Sequence, residues 1–116
     1  MSERRVLVVD DDANLRRVLE IVLSRRGFRT EAAVDGRDAL ERMAEQPADL
    51  VITDLRMPEV NGIELLRQLR AAGNDVPVIV ITAHGTLETA VEAMRLGACD
   101  YLLRPFDVEA LDLAIQ

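Results

Sequence analysis

The fold is decided by the stretch Val6-Leu7-Val8-Val9-Asp10-Asp11-Asp12, in which four apolar residues run directly into three aspartates. A run that is apolar at every position suits a strand covered on both faces, which is typical of parallel sheets. Two further runs of this kind are Leu50–Thr53 and Val78–Ile81. Weaker runs at Arg29–Ala33 and Cys99–Leu103 bring the number of predicted strands to five.

Amphipathic stretches separate these runs, and that alternation predicts βαβ units in a doubly wound α/β fold. Helix start and stop signals bound these stretches: Asp12 is a candidate N-cap for the first, and a glycine or proline follows each of the first four. The predicted helices run from Asp12 to Gly27, from Gly36 to Gln46 before Pro47, from Asn61-Gly62 to Gly73, and from Thr86 to Gly97. A fifth helix begins at Asp107 and meets no stop signal before Gln116, so we expect one domain over residues 1–116 whose last helix is truncated.

The composition narrows the function classes. The net charge of −7 disfavours direct nucleic-acid contact. All fourteen basic residues are arginine, which excludes lysine Schiff-base chemistry. Cys99 is the single cysteine, so neither a disulfide framework nor a cysteine zinc site can form, and we interpret it as a small buried residue at a strand start. No apolar run approaches the roughly eighteen residues of a membrane span, so we expect a cytoplasmic protein without a membrane partner.

Acidic residues gather where ligands bind in such folds. Parallel α/β sheets bind ligands beyond the carboxyl ends of their strands, and Asp10, Asp11 and Asp54 each follow a predicted strand. If the two strands are neighbours, these carboxylates converge and favour a hard divalent cation, for which Mg²⁺ fits better than Ca²⁺. The alternative is an acidic turn whose aspartates cap a helix and face solvent.

Two other strand ends supply groups that suit a phosphoryl ligand. Thr82 offers a hydroxyl, Ala83 an open backbone N–H, and Arg104 a fixed cation. A carboxylate beside Mg²⁺ can act as a nucleophile toward phosphorus. Asp54 is the better nucleophile candidate because it stands alone at its strand end, whereas Asp10 and Asp11 look like a metal-holding pair.

These motifs together resemble the receiver domain of two-component response regulators over essentially the whole chain. They are Val6–Asp12, Asp54–Pro58 with Asn61-Gly62, Thr82-Ala83 and Tyr101–Phe106. The resemblance implies a flavodoxin-like five-stranded parallel sheet in the order 2-1-3-4-5 with helices on both faces.

The resemblance also implies a chemistry for the acidic cluster. Asp54 would receive a phosphoryl group from the phosphohistidine of a sensor histidine kinase. Mg²⁺ would be held by Asp11, Asp54 and the backbone carbonyl of Arg56, with Asp10 acting through water. The domain would be a phosphoacceptor signalling switch rather than an enzyme in the ordinary sense, catalysing only its own phosphoryl transfer and dephosphorylation.

Further roles follow from the same resemblance. Thr82 and Tyr101 would form the switch pair, and the side chains of Arg56 and His84 would tune the lifetime of the acyl phosphate. Arg104 departs from the family, which nearly always has lysine there, and guanidinium is bulkier and planar. We therefore expect phosphate binding to survive while its coupling to the shape change weakens.

The stretch from Thr82 to Asp107 looks most like receivers of the nitrogen-regulation class of enhancer-binding transcriptional activators. That likeness implies control of an output domain absent from this chain. A separate hypothesis is that phosphorylation produces a homodimer. Three alternative functions differ in what they would require of the sequence. A flavodoxin-like module would need a phosphate-cradling loop where Asp10 to Asp12 stand, an aspartyl phosphatase would need a general acid two positions after Asp54, and a receiver-like interaction module would not be phosphorylated at all.

Overall fold

The computed structural model describes residues 4–57, 60–83, 85–103, 113 and 115. Its strands form one parallel sheet in the order β2-β1-β3-β4-β5, which confirms the predicted topology. The strands are β1 (Arg5–Val9), β2 (Arg29–Ala33), β3 (Leu50–Thr53), β4 (Val78–Thr82) and β5 (Asp100–Leu103). The helices are α1 (Ala13–Arg25), α2 (Gly36–Glu45), α3 (Gly62–Ala71) and α4 (Leu87–Arg95).

Both faces of the sheet are covered, as the uninterrupted apolar runs predicted. Alternate strand residues point to opposite faces, so β1 sends Leu7 and Val9 into one core and Val6 and Val8 into the other. The first core is closed by α2, α3 and α4, and the second by α1.

The register of β1 and β3 positions the acidic residues. Val9 pairs with Thr53, so the next residues of the two neighbouring strands, Asp10 and Asp54, leave the sheet side by side. The convergence expected of these two aspartates therefore follows directly from strand order.

Side-chain caps and glycines set the helix ends where the sequence predicted them. Asp12, Asn61 and Thr86 each accept a hydrogen bond from a backbone N–H in the first turn of the following helix. Beyond the ends of α1, α3 and α4, glycines adopt positive φ values that side chains rarely tolerate. The predicted helix bounds agree with the observed ones to within one or two residues.

Cys99 is exposed and precedes β5, so its interpretation as a buried strand residue is wrong. Although the residue is exposed, partial burial of its thiol raises the pKa of Cys99, and the neighbouring Asp100 carboxylate raises it further.

The expected start of a fifth helix at Asp107 lies outside the described residues, among which Leu113 and Ile115 are helical. Among the described residues, no helix has the length and apolar character needed to cross a membrane.

Candidate functional site

Three carboxylates meet at the carboxyl edge of the sheet. Asp10, Asp11 and Asp54 each offer one oxygen, and these oxygens all lie within 4.8 Å of one another. Asp10 is 2% and Asp54 7% exposed, whereas Asp11 is open to solvent. The cluster therefore has a buried floor and one accessible side.

The backbone around Asp54 fixes the orientation of its carboxylate. The Asp54 N–H donates to the Val9 carbonyl at 3.0 Å, which ties the residue to β1. Its Oδ1 accepts a hydrogen bond from the Leu55 N–H at 2.7 Å, and its carbonyl accepts one from the Thr53 hydroxyl at 2.9 Å. These bonds limit rotation of the side chain and set the direction in which it faces the cluster.

Gly62 is required because the chain returns to Asp54 at the start of α3. A Cβ at this position would lie 2.2 Å from the Asp54 carbonyl oxygen, a distance that backbone atoms cannot accommodate. The Gly62 N–H donates to the Leu55 carbonyl at 2.9 Å and closes the loop. The Asn61-Gly62 pair thus combines a helix cap with a close backbone approach.

The three consecutive aspartates divide between two tasks. Asp12 caps α1, where its Oδ1 accepts from the N–H groups of Asn14 and Leu15. The Asp12 N–H in turn donates to Asp10 Oδ1 at 2.8 Å. The helix-capping alternative raised from the sequence therefore describes Asp12, while Asp10 and Asp11 belong to the cluster.

The other predicted site residues fall at neighbouring strand ends where the structure describes them. Thr82 is fully buried as the last residue of β4, and Ala83 follows it at the surface. Arg104 and His84, predicted to bind the phosphoryl group and to tune its lifetime, lie outside the described residues. Arg56 is exposed and lines a cleft of about 740 Å³ together with Asp11.

Tyr101 connects β5 to the start of α4, a contact that sequence reasoning missed. Its hydroxyl shares a 2.8 Å hydrogen bond with Thr89 Oγ1, which also accepts from the Thr86 N–H in the capping box of α4. A Cβ on Gly85 would lie 2.6 Å from the Tyr101 hydroxyl, so the ring packs directly on the chain before α4. The threonine three residues after Thr86 was the available signal.

Arg16 is a second residue that the sequence did not single out. Its guanidinium donates from Nη1 to the Asp10 carbonyl at 2.6 Å. The only sequence signal was an arginine on the first turns of α1, just after the acidic residues.

The donor set fits Mg²⁺. Carboxylate oxygens are the ligands that this ion prefers, and three of them converge here. With one accessible side, the cluster leaves room for the waters that Mg²⁺ retains.

Comparison with known proteins gives one family. The model of the response regulator receiver domain matches residues 6–116. Among curated relatives, the regulatory protein AtoC of Escherichia coli is 46% identical over 112 residues, covering 97% of this chain and 24% of that protein. The transcriptional regulatory protein ZraR of Escherichia coli is 41% identical, covering 96% of this chain and 25% of that protein.

The chain thus spans about a quarter of the length of these relatives. Among solved structures, the chemotaxis protein CheY4 of Vibrio cholerae has a TM-score of 0.90 at 30% identity, covering 99% of this chain and 98% of that one. AtoC is named as a regulatory protein and ZraR as a transcriptional regulatory protein, and the resemblance to receivers of enhancer-binding transcriptional activators is confirmed. Because the family model matches residues 6–116, nearly the whole chain, this chain belongs to the receiver domains of two-component response regulators.

Proposed function

We propose that Asp54 accepts a phosphoryl group from the phosphohistidine of a sensor histidine kinase and that this modification controls an output domain in the full-length protein. The observation that carries the proposal is the convergence of Asp10, Asp11 and Asp54 within 4.8 Å at the carboxyl edge of the sheet. Such a cluster of carboxylates, without a cation, would strongly disfavour a phosphoryl group. The arrangement makes chemical sense as a metal-assisted phosphate site.

In the proposed transfer, a carboxylate oxygen of Asp54 attacks phosphorus and forms a new P–O bond. The P–N bond of phosphohistidine breaks, and the imidazole nitrogen keeps the electron pair and takes up a proton. The bond from the Leu55 N–H to Asp54 Oδ1 keeps the carboxylate aligned, so little side-chain freedom is lost as the bond forms.

Asp10, Asp11, Asp54 and the Arg56 carbonyl would hold Mg²⁺, which when bound neutralises negative charge on the transferred group. Thr82, the Ala83 N–H and Arg104 would bind the phosphoryl oxygens. The side chains of Arg56 and His84 would control how readily water reaches phosphorus in line.

Thr82 and Tyr101 would then transmit the change. Tyr101 of β5 pairs with Val80 of β4. Val80 lies two residues before Thr82, so the two side chains are on the same face of the sheet. The Tyr101 hydroxyl reaches Thr89, so a shift at Thr82 has a short path to α4.

A homodimer formed on phosphorylation and a transcriptional output domain are parts of the same proposal, and the cytoplasmic location stays a prediction.

The test is incubation with acetyl phosphate and Mg²⁺ followed by intact mass spectrometry. One added phosphoryl group is expected, and it should be absent in Asp54→Asn and in the presence of EDTA. Asp75→Asn is the matched control, because it makes the same charge change at an exposed position after α3. Uptake by Asp54→Asn would place the phosphoryl group on another residue and overturn the assignment to Asp54. No uptake by the parent chain would favour the receiver-like interaction module instead.

Arg104 carries a separate arm of the proposal. Guanidinium can bind phosphate through two parallel N–H bonds, so phosphorylation should proceed within a few-fold of the rate of Arg104→Lys. Its bulk should compete with Thr82 for the same oxygens and leave the switch incomplete. Arg104→Lys should therefore enlarge the phosphorylation-induced change in fluorescence of Tyr101, which is the only tyrosine in a chain without tryptophan. An unchanged fluorescence response would mean that arginine couples fully.

A further inference from the structure

We propose that Arg16 is a positioning residue for the acidic cluster: by holding the Asp10 carbonyl, it sets where the Asp10 and Asp11 carboxylates point and so maintains Mg²⁺ affinity. The inference rests on the metal-binding part of the proposed function and on nothing in the phosphoryl transfer. Three observations on α1 and the turn before it support it.

The first observation is the contact itself. Arg16 Nη1 lies 2.6 Å from the Asp10 carbonyl oxygen. Asp10 is only 2% exposed, so its carbonyl cannot rely on bulk water for a partner. A hydrogen bond from a charged donor is stronger than one from a neutral donor, which makes this a firm attachment for a buried acceptor.

The second observation is that the attachment completes a closed set of bonds around the turn. The Asp10 N–H donates to the Ala33 carbonyl at 3.1 Å, and Asp10 Oδ1 accepts from the Asp12 N–H at 2.8 Å. The Arg16 N–H donates to the Asp12 carbonyl at 3.1 Å. The backbone and side chain of Asp10 are thereby fixed from β2, from the turn and from α1, with Arg16 as the only long side chain among these bonds.

The third observation is that the charge of Arg16 stands against the usual preference at its position. The amino end of a helix favours negative side chains, yet the first turn of α1 contains no acidic residue and Arg16 follows directly. Side chains in a helix lean toward its amino end, so Arg16 points back over this turn to Asp10. The neighbouring Arg17 is exposed on the surface of α1.

A positioning role and a purely electrostatic role for Arg16 predict opposite changes in Mg²⁺ affinity when Arg16 is replaced. If only its charge mattered, Arg16 would repel the metal, and removing it would tighten Mg²⁺ binding. A positioning Arg16 would strengthen it, because groups that orient metal ligands typically contribute about tenfold or more to affinity. The sign of the change on substitution separates these two roles.

The experiment is calorimetric titration of the unphosphorylated chain with Mg²⁺ at fixed ionic strength. Arg16→Met, which keeps the aliphatic stem, should raise the Kd about tenfold. Arg17→Met, the matched control with the same charge change one residue away, should lower the Kd by at most about twofold. Arg16→Lys, which keeps the charge and a donor, should restore part of the lost affinity.

Two controls keep the result decisive. Gly27→Ala places a side chain at a φ of +87° at the far end of α1, so it reports what lost stability alone does to Mg²⁺ binding. Unchanged or tighter binding in Arg16→Met, or equal weakening in Gly27→Ala, would overturn the proposal. Should Arg16→Met fail to fold, weaker binding in Arg16→Lys than in Arg17→Lys still supports it and equal binding overturns it. Because no variant is phosphorylated, failure of phosphoryl transfer in the parent would leave this result readable.

Discussion

Helices α3 and α4 are nearly equal in length but are held to the sheet in different ways. The ten residues of α3 include five buried ones, among them Leu65, Leu66 and Leu69. The nine residues of α4 include one, Ala93. Leu87, Val91 and Met94 of α4 are instead exposed, Leu87 by 82%.

Polar contacts replace burial at α4. Its first turn is joined to β5 through Thr89 and Tyr101, and its carboxyl end is held by Arg70 of α3. An ion pair between Arg67 and Glu92 links the two helices between these points. Segments with few buried apolar contacts open more readily than the core, so α4 is the element whose position can change at low cost. Such low-cost movement would suit the proposed switch role of Tyr101, whose hydroxyl contacts the first turn of α4.

The largest expected effect contrasts one substitution in the two helices. Leu66→Ala removes a fully buried side chain and should lower the free energy of unfolding by about 2–5 kcal/mol. Leu87→Ala, the same change at an exposed position, should cost less than about 0.5 kcal/mol. Urea unfolding of both variants measures the difference. A loss at Leu87 comparable with that at Leu66 would contradict the view that α4 is held by polar contacts.

The second prediction concerns the carboxyl end of α4. The Arg70 guanidinium donates to the carbonyls of Leu96 and Gly97 after α4, and to those of Asn74 and Val76 after α3. Arg70→Met should cost about 1.5–3 kcal/mol, because charged hydrogen bonds to partly buried carbonyls are lost. Amide exchange should accelerate in α4 more than in α3.

Arg95→Met is the control for that variant, since it removes the same charge at an exposed position in the last turn of α4. It should leave amide exchange in α4 nearly unchanged. Equal acceleration in both variants would assign the effect to charge at the helix end rather than to the Arg70 contacts.

The fold was largely predictable because its signals are local. Apolar runs located the strands, and Asp12, Asn61 and Thr86 marked the helix starts that the structure confirms. Strand order came from the family resemblance, since no local signal decides which strands pair. Cys99 was misjudged because its apolar character predicts burial, whereas its place just before the edge strand β5 leaves it exposed.

The site was predictable only in part. Asp10, Asp11 and Asp54 follow from the rule that ligands bind at the carboxyl edge, and the structure brings them together. Arg16 and Thr89 were missed because their contacts depend on where a long side chain folds back and on how α4 docks against β5. Neither is encoded in hydrophobic periodicity.

The third prediction tests the amino end of α4. Thr89→Val keeps the shape of the side chain but removes the oxygen that meets the Tyr101 hydroxyl and the Thr86 N–H, so it should cost about 1 kcal/mol. The double variant with Tyr101→Phe isolates the hydroxyl contact, with an expected coupling of about 0.5–1.5 kcal/mol. Additive losses in the double-mutant cycle would mean that Tyr101 and Thr89 touch without stabilising α4.

The smallest expected effect belongs to the ion pair between α3 and α4. The side chains of Arg67 and Glu92 are 50% and 43% exposed, so solvent screens their attraction. Glu92→Gln should lower the free energy of unfolding by about 0.2–1 kcal/mol at low salt, and the loss should shrink toward zero near 1 M NaCl because the screening length falls to about 3 Å. Glu88→Gln, the control in the first turn of α4, should lose only the small favourable interaction of an acid with the amino end of the helix. Urea unfolding of both variants at low and high salt measures this difference. A loss at Glu92 that persists in 1 M NaCl would show that the pair stabilises α4 in a way that salt does not screen.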